Sequence, residues 1–284
     1  MHTSVEYLGL MALGLAAGVF GTLIGAGGGF VLMPLLIMLY PNDSAATLTS
    51  ISLAVVFFNA LSGSEAYALA KRIDYRSALL FSAATLPGAV LGALNTQAVP
   101  RQTFDFVFGG AVLALAVFLA FKKAGPNAPN APVSPDARPP AHGVTRCLTD
   151  AHGQTFTYSF NPSLGVGLSL VVGYVSSFLG IGGGIIHVPL LVYLLHFPVH
   201  VATATSHLIL AFMAFTGTLT HVLSGSFATG AHRTAALAIG VVAGAQIGAR
   251  LSERVGGVAI VRLLAAGLAV LGVRIVLLAL GWWK

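Results

Sequence analysis

The sequence predicts an all-α integral membrane protein. Ten hydrophobic segments are expected, arranged as two inverted five-segment repeats with broken half-helices at the centre. Three observations carry this expectation. The chain is 56% hydrophobic and 8% charged over 284 residues, whereas about a quarter of a soluble domain's residues are charged. Its apolar runs are long enough to cross a hydrocarbon layer about 30 Å thick, and the alternation of a membrane barrel is absent. Finally, one unusual motif occurs twice, as IGAGGGFVLMPLL at 24–36 and LGIGGGIIHVPLL at 179–191. Glycine- or proline-interrupted apolar segments at matching positions of two halves point to a transporter's central site.

Taken in order, hydrophobic runs and breakers give segments at 5–24, 30–40, 45–70, 77–95 and 103–121. Residues 122–161 change character. The stretch GPNAPNAPVSPDARPPAHG is too rich in proline and polar residues to pack, so a mobile extramembrane linker is expected, with QTFTYSF at its end ordering locally. The second half repeats the order at 164–179, 185–195, 201–223, 234–251 and 258–280. Displaced by about 155 residues, TLTSIS at 47–52 matches TATSHL at 203–208, and PGAVLGA at 87–93 matches AGAQIGA at 243–249. The organisation is therefore a first repeat over 1–121, a linker over 122–161 and a second repeat over 162–284.

An odd number of crossings per repeat inserts the halves upside-down relative to each other. With both termini outside, Lys71, Arg72, Arg76, Lys122, Lys123, Arg138, Arg146, Arg250 and Arg254 fall inside, and Arg101, Arg233 and Lys284 outside. The linker is then cytoplasmic, and Trp282 and Trp283 belong to the outer aromatic belt. The N-terminus lacks the basic start and small-residue cleavage site of a secretory signal, so the first segment is expected to be retained. The net charge of +6 comes from loop residues rather than one basic face, so nucleic acid is not expected as a partner. A single cysteine, Cys147, excludes an intramolecular disulfide.

The contiguous triplets Gly27-Gly28-Gly29 and Gly182-Gly183-Gly184 are poor helix, because each glycine weakens a helix interior by about 1 kcal/mol. Together with Gly25 and Gly180 they read as unwound turns. Bare N–H groups there, at the positive end of the next helix, would hold an anion without a formal charge in the membrane. Close helix packing is the alternative reading. The hydroxyls of Thr49, Ser50, Thr205 and Ser206, at the start of matching long helices, would contact the anion or cap the helix. Asn59 and Gln246 offer amide donors or interhelical glue. His187 and His207 replace Leu32 and Ile51 of the first half, and with Glu65 they are the candidates for moving a coupled proton. An interhelical hydrogen bond for each histidine, and reach to water for Glu65, are the competing readings. Snorkelling accounts for Arg274. His196 and His200 stand four apart, but Pro198 and the lack of an acidic neighbour argue against a metal. No catalytic motif appears, and no cofactor is expected.

These residues, the paired glycine and PLL motifs, the TATS segment and the two halves joined by a polar linker, resemble the TauE/SafE sulfite exporter family. The resemblance implies a carrier of small sulfur-containing anions, sulfite or organosulfonates, in the bacterial inner membrane. The expected function is a secondary transporter that holds the anion at the paired glycine breaks and works by alternating access. A passive anion channel is the alternative, and a histidine–metal membrane enzyme a more remote one.

Overall fold

A computed structural model describes residues 4–121, 143–252, 269, 272–277 and 280. The first half holds α1 (Ser4–Ile24), α2 (Gly29–Leu39), α3 (Ala45–Leu69), α4 (Tyr75–Ala98) and α5 (Arg101–Phe121). The second holds α6 (Pro162–Leu179), α7 (Gly184–Tyr193), α8 (Val199–Leu223) and α9 (Ala231–Leu251), the last preceded by a 3-10 turn at Ala228–Gly230. Much of the segment expected at 258–280 lies outside the described residues, though 272–277 are helical. Helix starts follow their chemistry. Ser44 accepts from the Thr47 amide at 3.1 Å, Asp74 from the Ser77 amide at 3.1 Å, and Asn161 caps α6 ahead of Pro162.

Six of these helices are long and apolar enough to cross a membrane, whereas α2 and α7 are short. Leu79, Leu86 and Leu91 of α4, Phe212, Phe215 and Leu219 of α8, and Ile239 and Ile247 of α9 are exposed. On a chain with so little charge, such an apolar exterior is the surface a bilayer covers.

The packing is reciprocal between the halves. The first helix of one half lies on the fourth of the other, as α1 on α9 and α6 on α4. Glycines four apart bring both pairs of backbones together. A Cβ built on Gly14 would lie 2.2 Å from Leu237 O, and one on Gly18 2.6 Å from Val241 O. On the other pair, Gly88 and Gly92 face Leu170 O and Tyr174 O at 2.3 Å each. This is the small-residue packing expected where hydrophobicity cannot drive helices together. The third helices, α3 and α8, pack on each other through Val56, Ala60, Leu210 and Ala214 at the centre.

One element departs from the all-helical expectation. β1 (Val144–Thr149) and β2 (Thr155–Phe160) form an antiparallel hairpin with Val144 opposite Phe160 and Thr149 opposite Thr155. QTFTYSF orders as expected, but it also brings in a partner strand and packs. Alternation puts Phe156, Tyr158 and Phe160 on the buried face, against Tyr67, Ile73, Phe81, Leu195 and Phe197. The hairpin thus covers one end of the bundle.

Candidate functional site

The two glycine turns meet at the centre. Gly25, Gly27 and Gly28 have φ of 81°, 76° and 77°, and Gly180 and Gly182 have 67° and 64°, a left-handed backbone open chiefly to glycine. In the first turn the amides of Gly25, Ala26 and Gly27 go to Thr22 O and Gly21 O, and the first bonds of α2 run from Val31 and Leu32 to Gly28 O. The amides of Gly28, Gly29 and Phe30 stand outside this ladder, as the leading N–H groups of a helix do. In the second turn Ile186 and His187 donate to Gly183 O in the same way, while the Gly184 amide turns back onto Gly182 O at 2.6 Å. The turns lie directly on each other. A Cβ on Gly29 would lie 2.6 Å from Ile181 O, and one on Gly184 would lie 2.3 Å from Gly25 O.

Around this contact sit buried polar groups. A Cβ on Gly180 would lie 3.0 Å from Thr49 Cγ2, and one on Gly25 would lie 2.7 Å from Thr203 Cγ2. Thr49 Oγ1, Ser176 Oγ and Asn59 Nδ2 are buried here without a hydrogen-bond partner, and so, on α8, is Ser206 Oγ, next in sequence to the Thr205 that accepts the Asp74 amide. Buried hydroxyls and amides are seldom left so. Asn59 Nδ2 faces Gly21 and Gly28, while its Oδ1 accepts from Thr22 Oγ1 at 2.8 Å. Ser176 Oγ faces Gly183, and Ser52 donates to Gly180 O at 2.5 Å. Beside the turns an apolar cavity of about 190 Å³ is lined by Phe30, Ala111, Val112, Val175, Leu179, Ile181 and Ile186. It offers nothing to an anion.

Other expected site residues are placed differently. Ser50 Oγ donates to Thr47 O at 2.7 Å, and Thr205 Oγ1 accepts the Asp74 amide at 3.1 Å. Neither pair caps its helix. Ser44 caps α3, and Pro198 occupies the cap position of α8. Gln246 donates to Ser62 O and Oγ at 2.9 and 3.0 Å, which ties α9 to α3. His187 lies 3.1 Å from Ser169 Oγ, linking α7 to α6. The His207 ring is buried edge-on to Tyr67, centroids 5.3 Å apart, and Tyr67 donates to Thr22 O at 2.8 Å. Glu65 is exposed on the outer face of α3 and does not join the histidines.

Among the described residues, side-chain contacts tie the helices together across both ends of the bundle. At one end Arg233 pairs with Asp43 and lies 3.8 Å over the Tyr40 ring, whose hydroxyl donates to Glu6 at 3.2 Å. Arg101 joins Asp105 at 2.7 Å and donates to Ile37 O in the last turn of α2 and to Asp43 O in the connection after it. At the other end Tyr158 donates to Asp74 Oδ2 at 2.8 Å, Arg72 lies 3.3 Å from Asp150, and Ala151 N donates to Ala70 O. Burial first, then the Asp74 carboxylate, raises the Tyr158 phenol well above its usual range, so it remains a donor. Burial works against the Asp150 charge, but the amides of Gln154 and His152 and then Arg72 together hold its carboxyl below the usual range.

Residues 10–275 match the family model described as sulfite exporter TauE/SafE. The chain belongs to this family. Its relatives include the "Probable membrane transporter protein YunE" of Bacillus subtilis (strain 168), 33% identical over 98% of this chain and 96% of that protein. The "Probable membrane transporter protein MJ0441" of Methanocaldococcus jannaschii is 24% identical over 69% of this chain and 65% of its own length. No solved structure matches. The chain is thus a multi-pass membrane protein of a transporter family, with helices to suit.

In this TauE/SafE protein, reading the sequence missed Thr22, Tyr67, Ser176, Asp74 and both end closures. Tyr158 had a signal, the period-two aromatics of TFTYSF. Asp74 also had one, as an N-cap residue before SALLF with Ser77 three places on. Thr22 and Ser176 had none, because a lone hydroxyl in an apolar run looks like any other.

Proposed function

We propose that this protein is a secondary transporter of a small sulfur-containing oxyanion, such as sulfite or an organosulfonate, working in the export direction. Two inverted five-segment repeats form the carrier. The reciprocal packing of α1 on α9 and α4 on α6 supports that symmetry. The anion is held between the glycine turns by the amides that open α2 and α7, with Thr49, Ser206, Ser176 and Asn59 donating to its oxygens. One observation carries this reading: two helix N-termini meet at the centre beside buried donors that have no partner.

In the closed arrangement the turns touch, so the site opens as the helices shift by alternating access. His187 and His207 are the candidates for a coupled proton, and Glu65, exposed, fits that role less well. The hairpin end faces the cytoplasm and the arginine end the outside, in the plasma membrane of a bacterium. Lys71, Arg72, Arg76, Arg146 and Arg250 on the hairpin side support this orientation.

The test is uptake of labelled sulfite into proteoliposomes, with and without a pH gradient, and with sulfate, thiosulfate and a small sulfonate as competitors. Saturable uptake that falls at least tenfold in Thr49→Val/Ser206→Ala is expected. Conductance without saturation would mean a channel, and no movement of any sulfur anion by folded protein would remove the substrate.

A further inference from the structure

The hairpin is joined to the bundle in two different ways. To α4 and α6 it is fastened. β2 ends at Phe160, one residue before Asn161 caps α6, and Tyr158 is bonded to Asp74, the N-cap of α4. α4 and α6 are themselves locked by backbone approaches at Gly88, Gly92 and Gly173 that leave no room to slide. Against α3 and α8 it only rests. Arg72 of the α3–α4 connection on Asp150, Ala151 N on Ala70 O at the C-cap of α3, and aromatic packing on Tyr67 and on Phe197 just ahead of α8 make up that contact, and the N-cap of α4 beside it meets α8 through the Asp74 amide on Thr205 Oγ1. Beneath it lie Thr205, Ser206 and His207 of α8 and Tyr67 of α3, all buried, with Tyr67 reaching Thr22 beside the first glycine turn.

We propose that the hairpin is the gate at this end of the transport path. It rides as one body with α4 and α6, and it closes on α3 and α8 through the latch of Asp150, Ala151 and the Asp74 amide. When that body rocks away, the Arg72–Asp150 pair separates, Thr205 Oγ1 loses the Asp74 amide, and the layer over the glycine turns is uncovered. Because α6 leads straight into the second glycine turn, the same motion that lifts the hairpin loosens the contact between the turns. The gate thus couples access at one end to the shape of the site. This inference rests on the transport reading, so its test includes a readout that needs no substrate.

In a Cys147→Ser background, Ser206→Cys reports access to the covered layer through its labelling by a membrane-impermeant maleimide applied on the hairpin side. Adding Asp150→Ala is expected to raise the labelling rate about tenfold, the effect of losing one charge-assisted latch. An unchanged rate in folded protein overturns the gate, whatever the substrate. A second arm uses Ala70→Cys/Ala151→Cys in the same background, at backbones already hydrogen-bonded to each other. Oxidation is expected to abolish transport and reductant to restore it. Full transport by the cross-linked protein would also overturn the gate, whereas failure of all sulfur anions with latch-dependent labelling intact would remove only the transport reading.

Discussion

The two ends of this molecule are closed by different chemistry on one reciprocal helix framework. At one end the helices' own residues do it. Arg233 is shared between the Asp43 carboxylate and the Tyr40 ring, and Arg101 donates to Ile37 O in the last turn of α2. At the other, the chain inserts a hairpin whose Phe156, Tyr158 and Phe160 fill a pocket, with Asp74 and Asp150 as its polar anchors. The difference teaches that repeats can share a centre while their ends respond to different conditions. Charge pairs at partly exposed sites are screened by salt, whereas aromatic burial is not.

The largest expected effect falls on what the ends share. Gly184→Val puts a branched side chain where even a Cβ would lie 2.3 Å from Gly25 O, so transport should be lost at both ends. Transport by folded protein, checked by size-exclusion elution and uptake, would show that the turns need not touch.

Next comes the hairpin end alone. Phe160→Ala removes an aromatic that is 2% exposed, a loss of about 3–5 kcal/mol for such a truncation. Limited proteolysis should cut the hairpin at least a hundredfold faster while the arginine end keeps its protection. Equal loosening of both ends would mean that they are not independent.

Arg233→Ala addresses the arginine end, with an expected cost of about 1–2 kcal/mol because the pair keeps some solvent exposure. Labelling of a cysteine at Tyr40 from that side should rise with the substitution. In the unsubstituted ion pair it should also rise with added salt, and hairpin proteolysis should not follow.

Acid separates the ends in the opposite sense. The Asp150 carboxyl is held below the usual range in the docked hairpin. Its contribution is therefore complete above the free carboxylate value of about 3.9 and is lost as pH falls through the lower, docked value. Hairpin protection against an acid-stable protease should decline only in that acidic window. The smallest expected effect is Glu65→Gln, less than twofold on uptake, because the side chain is exposed whereas His187 and His207 are buried. His207→Asn should exceed it if a proton passes through the centre.

Composition, periodicity and punctuation were enough to determine the membrane class, the positions of α1 to α9 and the doubled glycine turn. These depend on local properties: hydrocarbon length, helix-breaking glycines, and caps such as Ser44 and Asn161. The stretch at residues 155–160 was read only as ordering locally at the end of a linker; its period-two aromatics carried a strand signal, but alternation reveals a buried face and not what covers it. Which hydroxyls surround the turns was decided only by the tertiary structure. Gln246 and Thr49 are alike as polar residues in apolar runs, yet one ties α9 to Ser62 and the other stands unpaired beside Gly180. That choice depends on the rotation of each helix against partners more than 100 residues away, set by backbone contacts such as Gly14 on Leu237. The chain order carries no direct mark of it.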